Sequence, residues 1–201
     1  MVATEVVRTR TRLSPEARKN QLLDVSKEMI LESGLQEFSV EALARTANVS
    51  SPLVYNYFDS RLDTLQSLLA REYTAYIEGL NKAMAQAESF EAVVRVNIES
   101  NFDHFAPGNI IPILESQPEI AVAITDVARD HGRKLARYLV DATATNYKLN
   151  PREAELLVKM SSGASVAAAE YTSLGRVKRE RAVDAALAYV MAGLAQAATR
   201  S

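Results

Sequence analysis

Residues 39–58 constrain this chain more than any other stretch. Ser39 opens a short run with Val40, Leu43, Ala44 and Ala47 at helical spacing, and Asn48 follows it. After glycine, asparagine is the residue that most readily takes positive φ, so the chain can turn sharply there. A second short run begins at Ser50 or Ser51, with Val54, Tyr55 and Phe58 on its inner side. Pro52 falls in its first turn, where a missing N–H costs little. Ahead of both, Ser14-Pro15-Glu16 supplies a cap, a first-turn proline and an acid at the positive end of the helix dipole. Leu22, Leu23, Val25, Ser26, Met29 and Ile30 then recur at helical spacing until Gly34. A longer helix over about 15–33 followed by two short ones around a tight turn is the pattern of a helix-turn-helix.

The remainder reads as helix throughout. Asp59-Ser60 ends the third helix, and Ser60 with Asp63 resembles a capping box for a long fourth one carrying Leu62, Leu65, Leu69, Tyr73, Tyr76, Leu80 and Met84. A fifth follows Ser89 and stops at Ala106-Pro107-Gly108-Asn109, and Pro112 and Pro118 bracket a short sixth piece. The seventh, about 118–146, is expected to be the longest. Asn150-Pro151-Arg152-Glu153 starts an eighth that runs to about Leu174, and a ninth occupies about 178–199. No run alternates as a strand would. The expected fold is all-α with about nine helices: an arm over 1–13, a three-helix helix-turn-helix domain over 14–60, and a helical domain over 61–201.

Composition narrows the chemistry. With 201 residues, 48% apolar and 24% charged, the chain can bury an ordinary core. No apolar run reaches the roughly 18–20 residues of a membrane span, and the basic, polar start has no export pattern, so a cytoplasmic location without membrane contact is expected. There is no cysteine, and His104 and His131 are the two histidines, which leaves little for thiol, zinc or triad chemistry. Glu99, Asp103 and His104 are close in sequence but suggest no turnover, so neither an enzyme nor a cofactor is expected. The net charge of −2 argues against bulk attraction to nucleic acid. Locally the balance differs, because Arg8, Arg10, Arg12, Arg18 and Lys19 face a single acid, Glu16.

At higher resolution the N-terminal pattern is specific. Gly34, Ser39-Val40-Glu41-Ala42-Leu43-Ala44, Ala47-Asn48-Val49-Ser50, Val54-Tyr55-Asn56-Tyr57-Phe58, Ser60-Arg61 and Leu65 together resemble the signature of the TetR family of transcriptional regulators. The resemblance covers about residues 15–65; beyond that only the number, length and order of helices agree. It implies that Ser50, Ser51, Pro52, Leu53, Tyr55, Asn56 and Tyr57 occupy recognition-helix positions, and Ser39 and Arg61 phosphate-contacting ones. Asn48 stands where the family usually has glycine, Arg61 where lysine is usual, and Leu53 where a small polar residue is common. Leu53 can meet a thymine methyl. Asn56 can pair with adenine or reach phosphate, and the tyrosine and serine hydroxyls suit phosphate. Tyr55 is expected to share its surface between core and DNA. No arginine lies on the recognition helix, so affinity should lean on backbone contacts and on Arg8, Arg10 and Arg12 of the arm, candidates for an adjacent minor groove.

For the second domain the resemblance implies a small-molecule site among helices four to seven. Phe90, Val94, Asn97, Asn101 and Phe105 share a face of helix five, and His131 is in line with Ile124, Ala128, Leu135 and Leu139. Tyr73, Tyr76, Asn97, Asn101, Phe105 and His131 are the candidate ligand residues, although each polar one could equally be a satisfied core group. A mainly apolar cavity suggests a largely hydrophobic ligand. Helices eight and nine are rich in alanine, serine and glycine and are expected to form a homodimer, which the reading of two DNA half-sites also requires. The expected function is a repressor released from a double-stranded operator by its ligand. The alternative is the same fold with a protein partner and no inducer.

Overall fold

Local capping fixes where most helices begin. The structure, a computed structural model, describes residues 13–199 and divides into two compact units between Thr64 and Leu65. In the first unit, the Ser14 hydroxyl accepts from the Ala17 N–H at 3.1 Å and α1 runs Pro15–Ser33. It ends at Gly34, whose φ of 87° is open to glycine at little cost. A 3-10 turn, Leu35–Glu37, follows where the sequence showed only a connection. Its reason is burial: Leu35 and Phe38 both enter the core, and the tighter turn lets them. Ser39 accepts from the Ala42 N–H and starts α2, Val40–Thr46; Asn48 takes φ 52°, and α3 spans Ser51–Tyr55. Leu22, Ile30, Leu43, Val54 and Phe58 are almost fully enclosed, and the buried Ser26 hydroxyl donates to the Leu22 carbonyl. A fourth helix, α4, spans Arg61–Ala85 and so crosses the division.

The second unit is built from α5 (Phe90–His104), α6 (Ile110–Glu115), α7 (Pro118–Ala121), α8 (Thr125–Tyr147), α9 (Pro151–Ser173) and α10 (Arg179–Ala198), with the latter part of α4. The single helix expected over 118–146 is broken by a 3-10 turn at Val122–Ile124. Ile120 and Ile124 are buried on either side of exposed Val122, a tertiary demand with no glycine or proline to announce it. With that run counted as one bent element, the described residues form nine helices longer than the 3-10 turns, and no strand occurs among them. α8 stops at Lys148, which adopts a left-handed φ of 54° without glycine. Asn150 and Glu153 then form the anticipated capping box. Val94, Ile98 and Phe102 of α5 meet Ala169 of α9 and Val183, Leu187, Val190 and Leu194 of α10 in one apolar cluster. Arg95–Asp184 and Arg179–Asp103 ion pairs fasten α5 to α10 at its edge.

Candidate nucleic-acid interface and ligand cavity

Burial sorts the residues around α3 into two sets. Val54 and Phe58 face inward, with Lys19 Nζ lying 5.5 Å from the Phe58 ring centroid. Ser50, Pro52, Tyr55 and Asn56 are exposed, and Ser51, Leu53 and Tyr57 are half-buried. Tyr55 is 47% exposed, which leaves about half of its surface outward while Val54 and Phe58 fill the inner side. Asn56 and Tyr57 stand in the turn that closes α3, where the Asn56 N–H still reaches the Pro52 and Leu53 carbonyls. Ser50 precedes α3 without spending its hydroxyl on a cap. Hydroxyl, amide and aromatic groups therefore project from one exposed end, with a helix start that offers backbone N–H groups.

The two supposed phosphate ligands have work inside the unit. Ser39 accepts from Ala42, which leaves its O–H proton available to donate. Arg61 donates from Nε to the Phe38 carbonyl and from Nη2 to the Leu35 carbonyl, both at 2.8 Å. Its guanidinium thus ties the start of α4 to the turn before α2. Ser60 accepts from the Asp63 N–H, while the Asp63 carboxylate reaches the Asp59 N–H, a capping box displaced by one residue. Arg45, exposed in the last turn of α2, is a cation that the motif reading passed over. Arg8, Arg10 and Arg12 lie outside the described residues.

In the second unit a cavity of about 660 Å³ opens between the latter half of α4 and α8. Ile77, Met84 and Ala85 form one wall and Val127, Leu135 and Tyr138 the other; Asn81, Asp126, Asp130, His131 and Lys134 supply its polar groups. His131 Nε2 is enclosed without a hydrogen-bond partner. Burial, reinforced by the charge of Lys134 and opposed by Asp130, holds the imidazole pKa below its ordinary value. Tyr76 meets the His131 ring edge-on at 6.4 Å and the Tyr73 ring at a tilt at 5.7 Å, and the Tyr76 hydroxyl is hydrogen-bonded to Ser100 at 2.8 Å. Burial raises the Tyr73 pKa, with smaller contributions from Tyr76 and Glu115.

The structure does not bring all six candidate ligand residues together. Tyr73, Tyr76 and His131 form one group, of which His131 lines the cavity. Asn97 instead borders a void of about 30 Å³ with Thr143, Ser161 and Ser162. Asn101 donates to Ser165 of α9 at 2.9 Å, and Phe105 packs on the α5–α9–α10 cluster. The polar stripe of α5 is real as a face, but it looks towards α8, α9 and α10 and away from the α4–α8 cavity lining.

A model of bacterial regulatory proteins of the tetR family matches residues 22–67, the segment that holds the helix-turn-helix. Over this segment the chain is similar to the TetR family. Among curated relatives, the transcriptional activator FasR of Mycolicibacterium smegmatis is 27% identical over 92 residues, covering 46% of this chain and 42% of that protein. The aligned stretch thus spans less than half of that relative's length. Among solved structures, the fatty acid degradation regulator FadR of Bacillus halodurans superposes with a TM-score of 0.67 at 19% identity, covering 89% of this chain and 96% of that one. FadR of Bacillus subtilis, in complex with stearoyl-CoA, gives 0.61 at 19% identity over 85% and 96%. At such identities these two structures establish a shared fold.

One surface of the second unit escaped the small-residue argument. α9 and α10 place Ala154, Ser165, Ala169, Ala182 and Ala186 inward, so part of the small-residue pattern serves packing within the chain. On the outer side of α9, Leu156, Met160, Tyr171 and Leu174 are exposed, with Gly163 and Ala167 between them at spacings of three and four. Tyr189 of α10 is 71% exposed. A sequence scan for large apolar residues at helical spacing, instead of for small ones, would have found this stripe. Among the described residues no group of three or more histidine or acidic side chains could hold a metal ion, and no helix is long and apolar enough to cross a membrane.

Proposed function

We propose that this chain is a DNA-binding transcriptional regulator that presents the exposed end of α3 to the major groove, as a homodimer, and is released from its operator by a largely hydrophobic small molecule. The observation that carries the DNA reading is the division at α3: the inner residues are sealed in the core while Ser50, Pro52, Tyr55 and Asn56 remain outside. A helix with that division can dock through its N-terminal end and closing turn without unfolding its own domain. A single α3 contacts few bases, so a two-fold dimer is needed for useful specificity. The exposed stripe of α9 and α10 is its proposed contact, self-complementary as a two-fold surface must be.

The cavity between α4 and α8 is the proposed ligand site, since its volume and apolar walls suit a drug-sized molecule. α4 is one continuous helix that carries Arg61 in its first turn and cavity-lining Met84 and Ala85 in its last. A ligand that prefers one position of this helix over another shifts the DNA-binding equilibrium by its differential affinity; about 1–3 kcal/mol gives roughly 5- to 150-fold release. The complex of Bacillus subtilis FadR with stearoyl-CoA lends support to an apolar occupant. FasR is named an activator, so the sign of regulation is decided by a reporter assay in cells with and without the gene. For DNA, a duplex enriched from a random pool on the purified protein is the probe. Asn56→Ala and Tyr57→Ala should each weaken its binding while leaving the dimer intact, and unchanged binding by both refutes the role given to α3.

A further inference from the structure

The charges around the α4–α8 cavity are already matched to one another. Its α4 wall contributes no charged side chain. On the α8 side Lys134 is the one cation in the lining, and its ammonium lies 2.6 Å from Asp130 Oδ2, with Arg133 on the same carboxylate at 3.7 Å. Asp126 is held by Arg129 at 2.9 Å. His131 adds no charge at neutral pH, because burial and Lys134 both favour the neutral imidazole. An anionic head group entering here finds no unpaired cation. To recruit Lys134 it must compete with Asp130 for the ammonium and set a second negative charge beside that carboxylate, where the low-dielectric apolar walls strengthen the repulsion. An uncharged molecule meets no such cost and keeps the apolar contact with Ile77, Leu135 and Tyr138.

We propose that the occupant of this cavity is an uncharged apolar molecule, of the class of a long-chain alcohol or ester, and that the Lys134–Asp130 pair discriminates against carboxylates and phosphates of equal chain length. The inference rests on the ligand-responsive reading above and parts from the anionic acyl-CoA bound by Bacillus subtilis FadR.

Three probes with the same alkyl chain separate the classes: dodecanol, dodecanoate and dodecyltrimethylammonium, each titrated calorimetrically below its micelle concentration against the full chain at neutral pH. Dodecanol is expected to bind at least about tenfold more tightly than dodecanoate, a gap of roughly 1.4 kcal/mol. Asp130→Asn frees the Lys134 ammonium and is expected to bring dodecanoate within about threefold of dodecanol. Ala85→Trp and Val127→Trp, at exposed lining positions, should fill the cavity and abolish dodecanol binding while helix content and unfolding temperature stay as in the parent. Equal or tighter dodecanoate binding by the parent overturns the proposal, as does a preference that Asp130→Asn leaves untouched. Tightest binding of the quaternary ammonium overturns it in favour of a cationic class, and dodecanol binding that survives both tryptophans removes it from this cavity. If none of the three binds while the duplex still does, it is the ligand-responsive reading itself that falls.

Discussion

Replacing Arg61 by lysine tests whether that side chain is a phosphate ligand or an internal brace. The two roles share a charge but differ in geometry: the guanidinium reaches the Phe38 and Leu35 carbonyls at once, both at 2.8 Å, and an ammonium cannot span them with the same fork. Hydrogen bonds from charged groups contribute about 1.5–3 kcal/mol each, and the exposure of Arg61 places these at the low end. Arg61→Lys should therefore lose about 1–1.5 kcal/mol, one of the two bonds. The loss should appear locally, as faster amide exchange across residues 35–46, where the Leu35–Glu37 turn and the Ser39 cap are anchored. DNA affinity of the folded variant should fall by about five- to tenfold at every salt concentration, because a displaced α2 leaves α3 misplaced, while the slope of log affinity against log salt stays unchanged. A phosphate ligand behaves otherwise: lysine preserves affinity, and Arg61→Ala lowers the slope by about 0.9. Parental exchange and affinity in Arg61→Lys, with that slope change in Arg61→Ala, would refute the brace.

The other perturbations separate packing from surface. Phe58→Ala should cost about 3–5 kcal/mol in urea unfolding, whereas Tyr55→Ala should cost about 0.5 kcal/mol and weaken duplex binding instead; equal destabilisation by the two contradicts the division at α3. Gly163→Lys should leave the monomer folded, since a Cβ there meets nothing within 4 Å, yet dissociate the dimer by about tenfold or more in sedimentation; an unchanged dimer excludes the outer face of α9 from the interface. His131 has a folded pKa below the unfolded value of 6.5, so the unfolded state binds more protons and stability is lost as pH falls through that value. His131→Phe should remove this limb of the pH–stability profile, and an unaltered profile between about pH 7 and 5 contradicts the burial of the imidazole.

The parts of this chain that its sequence reveals are those decided within a few residues. Ser14, Ser39 and Asn150 cap as expected because a side-chain oxygen three residues ahead of an N–H suffices. Asn48 turns the chain for the same local reason. The Leu35–Glu37 turn, the break at Val122–Ile124 and the left-handed Lys148 are imposed by what the neighbouring elements bury, and no local residue announces them. Periodicity likewise places Asn97, Asn101 and Phe105 on one face of α5 without saying which helix that face meets. The candidate DNA surface was therefore largely legible, whereas the cavity, assembled from α4 and α8 about 50 residues apart, was legible only at His131.

Contacts within the first unit orient three of its cations, which leaves more of the salt dependence of DNA binding to other residues. Arg18 donates to Gln21, Lys19 lies over Phe58, and Arg61 holds two carbonyls. Hydroxyl and amide contacts from Ser50, Tyr55 and Asn56 release no counterions, since only neutralised phosphates do so. The docked α3 alone should then show a shallow salt slope. A variant lacking residues 1–12 isolates that case, because it removes Arg8, Arg10 and Arg12 and leaves every residue from Leu13 onward. For each of these arginines that neutralises a phosphate, the slope should flatten by about 0.9 per protomer. Affinity at low salt should drop more than affinity at high salt, so the two proteins converge as salt rises. Parallel lines for the variant and the parent would mean that the arm makes no phosphate contact, and would shift the electrostatic share to Arg45 on the exposed end of α2.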